Sequence, residues 1–208
     1  MRLFAAVDPD PTVRAAAERA ARTAARRLES GAPERIRWVA PEQLHVTLRF
    51  LGEVTEADAE AIRAAVRAPF ETPPFVARVS RLGCFPPSGP PRVLWLGIGE
   101  GGDGMTALRS ELDRRLAAAG RPPETRPLRA HVTLGRMKRW PARSRRLVDR
   151  VVSEIRPETP AWTVDRLTLY ESRRMPRGAR YHVLESTPLG APGGPRRTEV
   201  GVVSDRGV

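Results

Sequence analysis

Several residue types that usually announce a function are scarce in this 208-residue chain. There is one cysteine, Cys84. A lone thiol excludes an internal disulfide and offers no zinc-ligand spacing, and nothing near Cys84 in the sequence resembles an activating partner, so it reads as a small buried hydrophobe. Lysine is almost missing: Lys138 is the only one, and the rest of the 36 basic residues are arginine. No run of about 18 or more apolar residues occurs, which excludes a membrane-spanning helix. The opening apolar run, Leu3 to Val7, is stopped by Asp8 and Asp10. That is too short for a secretory signal, so it reads as a first strand and the expected location is the cytoplasm. The glycine-rich stretch Gly99 to Gly104 lacks the Lys-Ser/Thr that should follow in a phosphate loop, and reads as a turn.

What is present is ordinary in bulk. Hydrophobic residues make up 40% and charged residues 29%, as in a soluble globular protein, and the length suits one large domain or two small lobes sharing a core. The net charge of +12 favours anionic partners, nucleic acid first. Arginine, alanine and proline richness also follows from codon bias, so the charge becomes informative only beside a site that handles phosphate.

Strand-like and helix-like segments alternate without a βαβ rhythm. Strands are expected at Arg2 to Val7, Ile36 to Val39, Leu44 to Leu51, Phe75 to Leu82, Arg92 to Ile98, Arg129 to Arg136, Trp162 to Tyr170 and Tyr181 to Leu184. Asp10-Pro11 opens a helix over Thr12 to Leu28 that Gly31-Ala32-Pro33 ends. Thr55, with Asp58 as capping-box partner, opens a second through Val66. Two more are expected over Met105 to Ala119 and Ala142 to Ile155. A basic loop, Ser172 to Arg180, joins the last two strands. From Gly190 onward the chain is Gly, Pro and Arg with few apolar residues, and residues 190–208 are expected to be a disordered tail behind a single domain of residues 1–189. The fold class is α+β.

Two of the three histidines head the same tetrapeptide: His45-Val46-Thr47-Leu48 and His131-Val132-Thr133-Leu134. In a strand of period two, Val and Leu face a core while His and Thr share the open face. One His-x-Thr is a weak signal, but two copies suggest a duplicated half-domain in which each half lends a strand to a shared cleft. Paired imidazoles with pKa values near 6.5 supply a general base and a general acid together, which is what phosphodiester cleavage requires. The Thr47 and Thr133 hydroxyls can donate to the non-bridging oxygens as negative charge builds there. Only His182 remains as a third imidazole, outside the repeat, so no metal and no cofactor is expected.

These motifs resemble the signature of the 2H phosphoesterase superfamily. The longer context is similar to its bacterial and archaeal RNA 2′,3′-cyclic phosphodiesterase branch, also described as 2′-5′ RNA ligases. The similarity runs through Arg2 to Asp8, Arg37-Trp38-Val39, Pro41 to Glu53, Pro91 to Gly97, Arg129 to Arg136 and Leu169 to Ser172. The resemblance implies a bilobal duplicated fold, two antiparallel sheets lining a central cleft with helices outside. It implies hydrolysis of a terminal 2′,3′-cyclic phosphate to a 2′-phosphomonoester, with 2′-5′ ligation as a related reverse reaction. It also implies His45 as proton donor to the leaving 3′ oxygen and His131 as acceptor from water, an order the symmetric residues alone leave open. Many relatives carry Lys where Arg49 stands.

Four further positions are candidates for substrate contact. Arg49 is in register with His45 and Thr47 and is the better geometric candidate for substrate charge. Period two puts Arg136 on the core side, opposite His131; the resemblance associates it with the phosphate end of the cleft, which would need a twist or the strand's end. Phe50 and Tyr181, with Phe85 and Trp95, could stack a terminal base or belong to the core. His182 reads as a strand-surface histidine. The expected partner is RNA ending in a 2′,3′-cyclic phosphate, met by a monomer without a membrane or a metal. Two rivals stand beside this reading: a phosphodiesterase for a small cyclic-phosphate or 2′-5′ oligonucleotide substrate, and a non-catalytic RNA-binding module, which would explain the charge but not the paired motif.

Overall fold

The two alternating motif segments become neighbouring strands in the middle of an antiparallel sheet. The computed structural model describes residues 1–29, 36–138, 140–175 and 178–190. Among them are nine strands: β1 (Arg2–Val7), β2 (Ile36–Trp38), β3 (Val46–Glu53), β4 (Phe75–Phe85), β5 (Val93–Glu100), β6 (His131–Met137), β7 (Ala161–Val164), β8 (Arg166–Met175) and β9 (Gly178–Pro188). Four α-helices accompany them: α1 (Pro11–Glu29), α2 (Glu56–Arg67), α3 (Gly102–Ala118) and α4 (Arg145–Glu154). The strand order is β7-β4-β5-β6-β3-β1-β8-β9, with β2 paired to the far end of β6.

This single path is two sheets joined at one point. Long antiparallel ladders link β3, β1, β8 and β9 on one side and β6, β5, β4 and β7 on the other. Between them, β3 and β6 meet only at Val46 and Val132. The expected bilobal α+β arrangement is therefore present, its two sheets joined at one residue pair.

Local chemistry sets the helices. The Asp10 carboxylate accepts from the Val13 amide at 2.8 Å, with Pro11 in the first turn. Val13, Ala17, Ala20, Ala24 and Leu28 form a buried stripe at helical spacing. The Thr55 and Asp58 capping box closes as the sequence requires. In α2, Ala59, Ile62 and Val66 are buried; in α3, Met105, Leu108, Leu112 and Leu116. The helices cross over between lobes. The helix following β1, α1, packs on β6, β7 and α4, whereas the helix following β5, α3, packs on β3 and α2.

Three expectations change. Trp162 to Tyr170 is two strands, because the chain turns at the exposed Asp165 and carries β7 to one end of the path and β8 into the other lobe. The expected loop Ser172 to Arg180 is mostly ladder, from Ser172↔Tyr181 to Met175↔Gly178, because a long antiparallel hairpin satisfies the backbone groups a loop would leave open. The glycine-rich turn shortens, since Gly102 to Gly104 already belong to α3; only Gly101 holds the left-handed φ of +85°. The helix end at Gly31-Ala32-Pro33 and the tail from residue 191 lie outside the described residues. Gly190, the first residue of that tail, donates its amide to Thr72 at 2.9 Å.

Candidate active site

The antiparallel pair Val46↔Val132 fixes the site's symmetry. One step along each strand in opposite directions sets His45 against Thr133 and Thr47 against His131. Each imidazole shares a cavity with the hydroxyl of the other motif. Two adjoining cavities open there. The smaller, about 110 Å³, takes in His45 and Thr133; the larger, about 550 Å³, takes in Thr47, His131 and Thr133. Thr133 and Arg136 line both.

The two rings are held alike. His45 Nδ1 donates to the Gln43 carbonyl at 2.8 Å, and His131 Nδ1 donates to the Arg129 carbonyl at 2.5 Å, each two residues back along the chain. A carbonyl can only accept, so the proton of the neutral ring sits on Nδ1 and leaves Nε2 as the atom free for chemistry. Gln43 is fixed in turn by its side-chain amide, which donates to the Ala179 carbonyl at 2.6 Å. Aromatic rings brace both imidazoles. Phe4 and Tyr181 lie 4.9 and 5.3 Å away, centroid to centroid, from Tyr181 and His45 respectively, and Phe4 is also 4.9 Å from His45. On the other side Phe85 lies 5.1 Å and Trp95 6.2 Å from His131.

Burial lowers the pKa of both histidines below the ordinary 6.5, opposed by the backbone carbonyl each ring meets. The Arg136 cation lowers both further, and His45 also feels the charge of His131. Asp8 works the other way on His45. Its carboxylate accepts from Thr168 and from the Tyr170 hydroxyl, both at 2.8 Å, and burial together with that carboxylate pushes the Tyr170 pKa up.

Arg136 does not sit where strict alternation puts it. Along β6 and β5, Trp95 pairs with Thr133 but Leu94 pairs with Gly135, so Leu134 is the extra residue of a β-bulge. Leu134 and Gly135 are both buried, the phase reverses, and Arg136 comes out on the open face with His131 and Thr133. Gly135 permits this. A Cβ there would meet Ile36 Cγ2 at 2.8 Å and the Trp38 ring at 3.0 Å, so only glycine lets β2 lie against the bulge. Across that contact Arg37 pairs with Arg136.

The remaining candidates separate. Phe50, 59% exposed, lines the larger cavity, and Tyr181 the smaller. Arg49 lines the larger cavity, but its guanidinium is engaged: Nε is 3.4 Å from Asp113, Nη1 is 3.8 Å from Glu124, and Nη2 donates to the Pro122 carbonyl at 2.5 Å. Asp113 is also 3.4 Å from Arg109, which donates to the carbonyls of Glu124 and Arg126. The loop walling the larger cavity is therefore pinned by arginines, and two bonds to Arg126 hold the Glu124 carboxyl at a pKa of about 2. His182 lies outside both cavities, paired in register with Glu171. Asp8, Gln43, Arg37, Arg109 and Asp113 were not singled out from sequence. Asp8, Arg37 and Gln43 carried a signal only as members of the strings that resemble the family, and Arg109 and Asp113 carried none. Among the described residues, no group of three or more His, Cys, Asp or Glu is placed to hold a metal ion.

Comparison with known proteins gives a consistent picture. The family model described as the 2′-5′ RNA ligase superfamily matches residues 9–175. The Thermotoga maritima protein named RNA 2′,3′-cyclic phosphodiesterase is 34% identical over 188 residues, covering 88% of this chain and 93% of its own. The Aquifex aeolicus protein of the same name is 34% identical over 157 residues, 74% of this chain and 82% of its own. Among solved structures, TT0787 of Thermus thermophilus superposes with a TM-score of 0.70 at 31% identity, covering 92% of this chain and all of its own. E. coli LigT, solved in apo form, superposes at 0.66 with 29% identity, covering 90% of this chain and 96% of its own; the same protein has been solved with 3′-AMP and with phosphate.

Proposed function

The chain belongs to the 2′-5′ RNA ligase superfamily, and on that premise we propose that it is an RNA 2′,3′-cyclic phosphodiesterase that opens the cyclic phosphate to a 2′-phosphomonoester. The observation that carries this reading is the Val46↔Val132 pair. In support of it, His45, His131, Thr47 and Thr133 line two adjoining cavities beside that pair, and Arg136 lines both.

In the proposed reaction the cyclic phosphate lies across the seam. His131 Nε2 takes a proton from water as the water oxygen bonds to phosphorus, the P–O3′ bond breaks, and His45 Nε2 gives its proton to the leaving 3′ oxygen. That order follows the family pattern of the motifs. Thr47 and Thr133 donate to the non-bridging oxygens, and Arg136 balances their charge. The pKa directions add a condition. Both rings are mostly neutral in the free protein at pH 7, so the acid acquires its proton as the phosphate anion arrives and offsets the cost of burial. The larger cavity, with the exposed face of Phe50, is the place for the terminal nucleoside. A 5′-hydroxyl in the position of the water would form a 2′-5′ linkage by the same displacement, its proton going to His131 as the P–O3′ bond breaks. The substrate is RNA, the protein acts as a monomer in the cytoplasm, and no metal takes part.

His45→Ala and His131→Ala are each expected to lower kcat on a nucleoside 2′,3′-cyclic phosphate by about 10²–10⁴-fold. Phosphorus NMR should show a 2′-phosphate as product of the parent protein. Near-normal turnover in either variant, or a 3′-phosphate product, would reject the assignment.

A further inference from the structure

We propose that Arg37 is a substrate-binding residue, and that with Arg136 it forms a two-arginine seat for a phosphate group carrying a second negative charge; this rests on the reading above and names which charge state the site favours.

The placement follows from register. Residues directly opposite in an antiparallel pair project to the same face. The bulge turns Arg136 to the open side, so its partner Arg37 points there too. Both line the cavity of about 110 Å³ that holds His45 and Thr133. That volume is below the roughly 300–1,000 Å³ of a site for a whole small molecule and suits a group the size of phosphate.

The charges are out of balance as they stand. Like charges directly across two strands destabilise a sheet. Most arginines near the site have found carboxylates: Arg14 has Asp8, Arg49 and Arg109 have Asp113, and Arg126 has Glu124. Among the described residues, Arg37 and Arg136 have none within ion-pair distance. A repulsive pair facing a phosphate-sized space gains its counter-charge when an anion enters.

Two cations match two negative charges better than one, and the reaction changes that number. The cyclic diester carries one. As the water oxygen bonds to phosphorus and loses its proton to His131, a second charge builds on the phosphoryl oxygens. The monoester released has a second pKa near 6 and is a dianion at neutral pH. Arg136 answers the charge the substrate brings. Arg37 answers the one that appears, so its contribution is larger in the transition state than in the ground state and raises kcat more than it lowers KM. The same preference retains the product.

The test is Arg37→Gln in the full chain at pH 8. Inorganic phosphate, a dianion there, and dimethyl phosphate, a monoanion, are titrated by calorimetry. In parallel, kcat and KM for a nucleoside 2′,3′-cyclic phosphate and Ki for the nucleoside 2′-phosphate are measured, and the thermal midpoint is recorded. We expect phosphate affinity, Ki and kcat each to worsen by about 10-fold or more. Dimethyl phosphate binding and KM should change by less than about 3-fold, and the midpoint should hold or rise because the like-charge contact is gone. Arg37→Lys should recover part of the phosphate affinity. Unchanged phosphate affinity in Arg37→Gln, equal losses for both probes, or a variant that fails to fold would each overturn the proposal. A parent protein that binds phosphate but hydrolyses no cyclic phosphate would reject the enzymatic reading instead, and the two titrations would still decide the role of Arg37.

Discussion

Asp113→Asn should cost stability far more than activity, because Asp113 is the negative group held between Arg49 and Arg109. Its contacts to both guanidinium groups are 3.4 Å, and all three side chains are about 10% exposed. At an effective dielectric of about 20, a pair of unit charges at that separation attracts by about 5 kcal/mol. Desolvation of the three groups offsets much of this in the parent protein. Removing the carboxylate charge keeps that desolvation and loses the attraction; breaking a buried pair in this way costs about 3–5 kcal/mol. In a domain of this size each kcal/mol moves the thermal midpoint by about 2–4 °C, so a fall of about 6–20 °C is expected by circular dichroism. Asparagine keeps one acceptor oxygen, which favours the lower end. At a temperature where both proteins are folded, kcat/KM on a cyclic phosphate should stay within about 3-fold of the parent. A midpoint shift below about 3 °C together with a loss of kcat/KM beyond about 10-fold would refute the reasoning, and would return Arg49 to a direct role on substrate.

Other consequences are as concrete. Burial holds both site histidines below the pKa of about 6.5 they have unfolded. Between those values the unfolded chain binds more protons, so their contribution to stability is present above about pH 6.5 and is lost as pH falls through the folded pKa values. Urea unfolding at pH 7.5 and 5.5 should show a smaller decline for the His45→Gln/His131→Gln double variant than for the parent; an equal or steeper decline would contradict the pKa directions. Gly135→Ala should lose about 1–3 kcal/mol through overpacking against Ile36 and Trp38, and lose activity as Arg37 and Arg136 shift. Gly102→Ala, with nothing within 4 Å of the new methyl group, is the neutral control. Activity should persist in excess chelator; loss that zinc or manganese restores would bring a metal into the scheme.

What could be read from the sequence was local. The Asp10-Pro11 start and the Thr55–Asp58 capping box are decided within a few residues of chain, and both formed. The alternation at each motif correctly assigned the inward Val and Leu and the outward His and Thr, because period two needs no partner strand. Period two alone put Arg136 on the core side, whereas the resemblance pointed it to the cleft; its direction depends on a bulge, and the bulge depends on Gly135 accommodating Ile36 and Trp38 from a strand about 100 residues earlier. The turn at Asp165 is of the same kind: nothing in Trp162 to Tyr170 reports that its halves belong to different lobes. Arg49 was read as an open-face cation, and its register is as expected, but Asp113 and Glu124 come from distant segments that no local pattern connects to it. The carbonyl clamps on His45 and His131 were equally hidden, since they use backbone atoms that every sequence supplies.

The exchange of α1 and α3 between the lobes reaches beyond the present molecule. Severing the chain midway would divide both sheets, since β1 and β3 are completed by β8 and β9, and β4 and β5 by β6 and β7, and it would also expose helix stripes meant for the other lobe. Neither half could be a stable monomer. If a gene encoding one half was once copied end to end, the ancestral product would have been a symmetric dimer that traded strands as well as helices, with the valine contact on its twofold axis. Fusion would then have freed each imidazole to specialise as donor or acceptor.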